Sequence, residues 1–245
     1  MENNKYSNYA AAGLFIAVGI IIGALILGNT WKGVSRSNVT ITVTGSSEKD
    51  IRSDYAIWRG SFSAESRELT EAYSKIKDSR DKVKNYLVSK GITEDKIKFS
   101  SVQTAPQYVL NDKGYPTTQI QAYKMHMDVT VESGDVDMID RLSRESSDLI
   151  FQGIDFNSYS PEFLYTKLAD LKVEMIGLAS ENAKIRAEQI AKSTDNEIGE
   201  VRSSRMGVIQ INAKNSTDVS DYGINDTSSL EKTIRAVVSV SFSID

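Results

Sequence analysis

Hydrophobic positions follow three different rhythms along this chain, and each predicts a different kind of element. From Ala10 to Gly28 the sequence AAAGLFIAVGIIIGALILG is continuously apolar and carries no charge. At about 1.5 Å per residue, such a run approaches the ~30 Å hydrocarbon thickness of a bilayer. A cleaved signal peptide has a shorter apolar region, about 7–15 residues, and a small-x-small exit. Here a cut after Gly28 would place Ile26 where a small residue is wanted. The run therefore reads as an uncleaved transmembrane anchor over 10–28, after a tail at 1–9 and before a linker at 29–37. Gly19 and Gly23 form a G-x-x-x-G pair, and Ala24 with Gly28 repeats the spacing that lets helices approach closely in lipid. Trp31 then sits where an interfacial aromatic belongs.

Beyond residue 38 the rhythm changes. In NVTITVTG, Val39, Ile41 and Val43 alternate with threonines, which predicts a half-buried strand ending at Gly45. A second strand, DYAIWRGSFSAES, puts Ala56, Trp58 and Phe62 on one face. Leu69, Tyr73, Ile76, Val83 and Leu87 then recur at helical spacing up to Gly91. Two strands follow, DKIKFSSVQTAPQYVL and TTQIQAYKMHMDVTVES, joined by the turn residues NDKGYP. A shorter helix directs Val136, Ile139, Leu142 and Leu149 inward, and IDFNSYS is a strand. The longest helix spans about 165–192. Its inward positions are Leu168, Leu171, Met175 and Leu178, continued by Ala183, Ala187 and Ile190, and its alanines allow a sheet or helix to come close. IGEVRSSRMGVIQINA reads as one strand and Lys214 to Ser229 as a long exposed loop. The last strand places Ile234, Ala236, Val238, Val240, Phe242 and Ile244 on one face.

Strands grouped in runs between helices predict an α+β body over 38–245, with mixed or antiparallel strands and three packed helices, preceded by one transmembrane helix. A doubly wound parallel sheet would need regular strand–helix alternation, which is absent.

Composition narrows the function. The 245 residues carry a formal net charge of −4 with both signs mixed along the body and no basic block, so nothing marks a nucleic-acid partner. The chain has no cysteine, which excludes disulfides, thiolate metal sites and a cysteine nucleophile. Its single histidine, His126, excludes multi-histidine zinc sites. Strand parity puts His126 with Lys124 and Asp128, opposite Met125 and Met127, so it reads as a solvated strand residue. SRDK at Ser79 to Lys82 has the S-x-x-K spacing of serine–lysine hydrolases but sits mid-helix among charges, without the accompanying S-D-N or K-T-G. No glycine-rich phosphate loop occurs. The residues thus nominate no catalytic, cofactor-binding or metal site, and no cofactor. The partner they do indicate is a lipid bilayer, with Gly19, Gly23, Ala24 and Gly28 as possible helix-packing positions.

Several ordered landmarks resemble SIMPL-domain proteins. They are ITVTGSSEKDIRSDYAIWRGSFSAES, KIKFSSVQTAPQY, NAKIRAEQIA, IGEVRSSRMGV and the final IRAVVSVSF. Each motif is soft alone; their order is the specific part. The resemblance implies an extracytoplasmic bacterial protein. Relatives include a periplasmic immunogenic protein that assembles into a ring or channel-like oligomer, and others linked to oxidative-stress defence. It implies no catalytic residues. The expectation is a non-enzymatic, self-assembling envelope protein held at the inner membrane with its body in the periplasm. The alternatives are an enzyme using serine, lysine or carboxylates, and a ligand- or peptide-binding module, the latter favoured if the 214–229 loop closes over an apolar pocket.

Overall fold

In the computed structural model, Gly13 and residues 17–28 and 39–244 are described. The tail 1–9, the start of the expected anchor, the linker 29–37 with Trp31, and the body's end residues Asn38 and Asp245 lie outside the described residues. Residues 17–28 are helical (α1). Among the described residues, no helix is long and apolar enough to cross a membrane.

The rest of the chain is α+β, as the strand and helix rhythms predict, and forms two compact units built from separated stretches. The first takes residues up to Glu48, Lys172–Ile209 and the chain from Arg235 onward; the second takes Lys49–Leu171 and Gln210–Ile234.

In the second unit, β2 (Tyr55–Ser66) and β5 (Pro116–Ser133) form the central antiparallel pair, in register from Ala56 opposite Ser133 to Ser66 opposite Tyr123. β3 (Ile97–Phe99) and β4 (Gln103–Leu110) both pair with β5 on its other side. The predicted single strand is thus interrupted at 100–102. β6 (Asp155–Ser158) and β7 (Glu162–Leu164) pair with β2. The inward parity holds: Ala56, Trp58, Phe62, Met125, Met127, Val129 and Val131 are buried. Helix α2 (Leu69–Ser89) covers them through Ala72, Ile76, Val83, Tyr86 and Leu87. Leu69 and Tyr73, expected inward, are exposed; the first inward turn is carried by Ala72. The short helix α3 (Val136–Glu145) buries Val136, Ile139 and Leu142, and Asp135 caps it by accepting from the Met138 amide at 3.0 Å. Its predicted last turn is a 3-10 helix, Ser146–Gln152, which buries Leu149.

Trp58 is fully buried, and its indole nitrogen would lack a partner were it not for Ser158. Nε1 donates to Ser158 Oγ at 3.0 Å, and Ser158 Oγ donates to the Ser143 carbonyl at 2.8 Å. The relay ties β2, β6 and the end of α3 together.

In the first unit, β11 (Glu231–Ile244) has β1 (Thr40–Arg52) on one side and β8 (Ile198–Met206) antiparallel on the other. The β1 pairing is marked by the Ile244 amide on the Val39 carbonyl and by Thr42 Oγ1 at 2.7 Å from Ser241 Oγ. Helix α4 (Leu168–Ser193) contributes a buried stripe of Met175, Ala179, Ala183, Ala187 and Ala191. Leu178 and Ile190, expected inward, are exposed. Strand β1 does not end at Gly45; it runs through it to Arg52. The glycine serves packing instead: a Cβ there would lie 2.1 Å from the Ala179 carbonyl oxygen and 2.4 Å from the Ala183 nitrogen. Ser47 Oγ, Asn182 and Arg186 add hydrogen bonds between β1 and α4.

Candidate functional site

The C-terminal strand carries a buried lysine. Lys232 occupies the same parity as Ile234, Ala236, Val238, Val240 and Phe242, so it heads the inward-facing row of β11 and is only 2% exposed. The row ends at Phe242: register shifts beside it leave Ser243 buried and Ile244 half-exposed, against the expectation for Ile244. Lys232 Nζ donates to the Phe163 carbonyl on β7 at 2.6 Å. That bond uses one of three ammonium protons.

Lys232 is one wall of a cavity of about 240 Å³ within the second unit. The other walls are largely apolar: Phe163, Leu164 and Tyr165 from β7 and its exit, Leu168 from the start of α4, and Ile211 from β9 (Gln210–Ala213). Thr166, Asn225 and Thr227 complete the lining. The cavity therefore offers one charged donor against hydrocarbon.

Strand β10 (Ile224–Asn225) places Asn225 there. It pairs in parallel with β9, Ile224 opposite Gln210, so the stretch 214–229 is not wholly the loop that its composition predicts. The intervening loop is pinned at both flanks of β9: Gln210 Nε2 donates to the Ser220 carbonyl at 2.7 Å and Asn212 Nδ2 to the Asp218 carbonyl at 2.6 Å. Gln210 and Asn212 are themselves buried, while Val219 and Tyr222 project into solvent at the loop tip.

Burial pushes the Lys232 ammonium below the ordinary lysine range, and the negative charge of Asp226 partly counters this. The Asp226 carboxyl stands below its own ordinary value. Burial raises it, but the Ser229 and Ser228 hydroxyls, the Ser228 amide and the Lys232 charge together outweigh that. Asp226 Oδ1 accepts from the Ser228 amide at 2.8 Å and hydroxyl at 2.7 Å. At the solvent side of β11, Thr233 Oγ1 donates to Asp50 Oδ1 at 2.8 Å and Lys214 Nζ lies 3.0 Å from Asp50 Oδ2. Both contacts hold Asp50 below the usual carboxylate range, the Thr233 bond first.

Residues singled out from the sequence lie elsewhere. His126 is on the outer face of the β5 sheet, opposite Ser63 on β2 and Gln103 on β4, with Nε2 3.1 Å from Asp128 Oδ1. Among the described residues, no group of three or more histidines and carboxylates could hold a metal ion. Ser79 and Lys82 both line a surface depression of about 380 Å³ with Lys75, Asp78 and Asp155. No hydrogen bond joins them; Lys82 Nζ points to the Gln152 carbonyl at 3.4 Å. Gly19, Gly23, Ala24 and Gly28 all fall on α1, and among the described residues no atom from outside that helix lies within 4 Å of a Cβ built on the three glycines.

Lys232 was legible as an anomaly, a lysine at the head of an otherwise apolar alternating row, but parity alone does not supply the cavity beside it. Compared with protein families, the chain matches SIMPL, described as a protein of unknown function (DUF541), over residues 41–242. No curated protein matches it.

Proposed function

The chain belongs to the SIMPL family, and from that footing we propose a non-enzymatic envelope protein, anchored in the bacterial inner membrane by residues 10–28, whose extracytoplasmic body self-assembles and serves in oxidative or envelope stress defence. The observation that carries the assembly reading is the hairpin of β4 and the first part of β5. Strand β4 is solvent-exposed along nearly its whole length, on both faces, and so are residues 116–121 of β5 apart from a half-buried Thr117. A two-stranded ribbon without a packed face is marginal by itself in water. This one carries Tyr108 opposite Ile120 and Leu110 opposite Pro116, with Tyr115 at the turn, all exposed.

A second copy laid on this arm would cover that apolar surface. Strand β8 adds a further route: among the described residues it pairs only with β11, which leaves its other edge open beside exposed Val201 and Met206. The anchor reading is supported by the uncharged run at 10–28.

The test is sedimentation of the full chain in detergent, with and without Leu110→Asp together with Ile120→Asp. A discrete oligomer that the double variant disperses is the expected result. A wild-type monomer across a wide concentration range would overturn body-driven assembly. Protease protection of the body in intact cells, against digestion once the outer membrane is opened, tests the location.

A ligand-binding role has separate support in the Lys232 cavity, which the 224–227 segment helps to enclose.

A further inference from the structure

We propose that the Lys232 cavity is a binding site for a small carboxylate with an apolar body, the carboxylate pairing with the Lys232 ammonium. The inference is independent of assembly. It starts from an imbalance: a charged amine sits inside the second unit with a single hydrogen bond, to a carbonyl that is itself neutral. Leaving a buried charge without a hydrogen-bonded counterion is costly. Asp226, which among the described residues is the carboxylate whose field reaches Lys232, makes no ion pair with it and spends its Oδ1 on Ser228. Two ammonium protons therefore remain for an acceptor on the cavity side.

A carboxylate accepts from both protons and gives the ammonium the hydrogen-bonded counterion it lacks. The rest of the lining selects what it is attached to. Phe163, Leu164, Leu168 and Ile211 present hydrocarbon, which suits an apolar body and gives nothing to a second charge. Size sets the upper limit. An apolar cavity of about 150 Å³ accepts benzene, so the 240 Å³ here accommodates a benzene-sized body with a short acid arm. Thr166 is committed to Asp54, its amide at 2.7 Å and its hydroxyl at 2.8 Å, so Asn225 and Thr227 are the lining residues that can meet the second carboxylate oxygen.

The experiment is calorimetric titration of the full chain in lipid nanodiscs with 3-phenylpropionate, blanked against empty nanodiscs. Its uncharged counterpart 3-phenylpropanamide is run in parallel. One-to-one binding of the acid is expected, at least tenfold tighter than the amide. Lys232→Met and Leu168→Trp, which removes the charge and fills the space respectively, should each weaken the acid at least tenfold. Circular dichroism checks that both variants fold; if Lys232→Met does not, Leu168→Trp and the amide comparison decide. The proposal is overturned by no binding at millimolar acid, by equal binding of acid and amide, or by variants that fold and bind as the wild type does.

Discussion

Gly45 on β1 lies so close to Ala183 on α4 that a methyl at Gly45 would come within 2.4 Å of the Ala183 backbone nitrogen and 2.8 Å of its Cα. The obstacle is helix backbone, not side chain. Gly45→Ala is therefore expected to destabilise the first unit by about 1–3 kcal/mol or more, as forced overpacking does. Ala183→Gly should fail to rescue it, because shaving the alanine methyl frees none of the clashing atoms. Urea denaturation of the single and double variants reads this directly.

The Trp58–Ser158–Ser143 relay gives a second expectation. Ser158→Ala strands a fully buried indole N–H, which costs about 1–3 kcal/mol. Chemical denaturation followed by far-ultraviolet dichroism should register that loss. A change below about 0.5 kcal/mol, the ordinary range for a surface substitution, would mean another acceptor takes over.

The alkaline limb of stability should report on Lys232. Its folded-state value lies below 10.5, so between the two values the unfolded chain binds more protons than the folded one. Stability then rises with pH across that window. Lys232→Met removes the term. The melting temperature of the wild type, minus that of the variant, should increase from pH 7 to pH 10; a flat or falling difference contradicts the assignment.

On the acid side Asp226 acts with the same sign, since its value too is lowered on folding. Its depressed value means it contributes stability that is present above 3.8 and is lost as pH falls through the folded-state value. Asp226→Asn should accordingly flatten the acid limb of a thermal melt followed from pH 6 down to pH 2, relative to the wild type.

Alternation proved the most readable feature of the sequence. The inward rows of β2 and β5, and that of β11 as far as Phe242, emerge because a half-buried strand must repeat every two positions. Where the reading went astray, tertiary packing chose among locally equivalent options. Gly45 reads as a strand terminator, but the demand on it comes from a helix more than a hundred residues later. On α2, Leu69 and Tyr73 continue the stripe yet stay wet while Ala72 is buried. On α4 small residues take the inward positions and Leu178 and Ile190 face water. The candidate site was legible only as one lysine out of place. Its cavity is assembled from β7, β9, β10, β11 and the start of α4, which no local window spans.

The pairing of β1 with β11 sets a timetable for synthesis. Thr42 meets Ser241, a partner 199 residues further along. At about 5–20 residues per second of translation, the first strand is exposed for roughly 10–40 s before its partner exists. Throughout that interval its apolar alternation and unpaired backbone are open to any extended segment nearby, which makes it the place where holding by a chaperone has most effect.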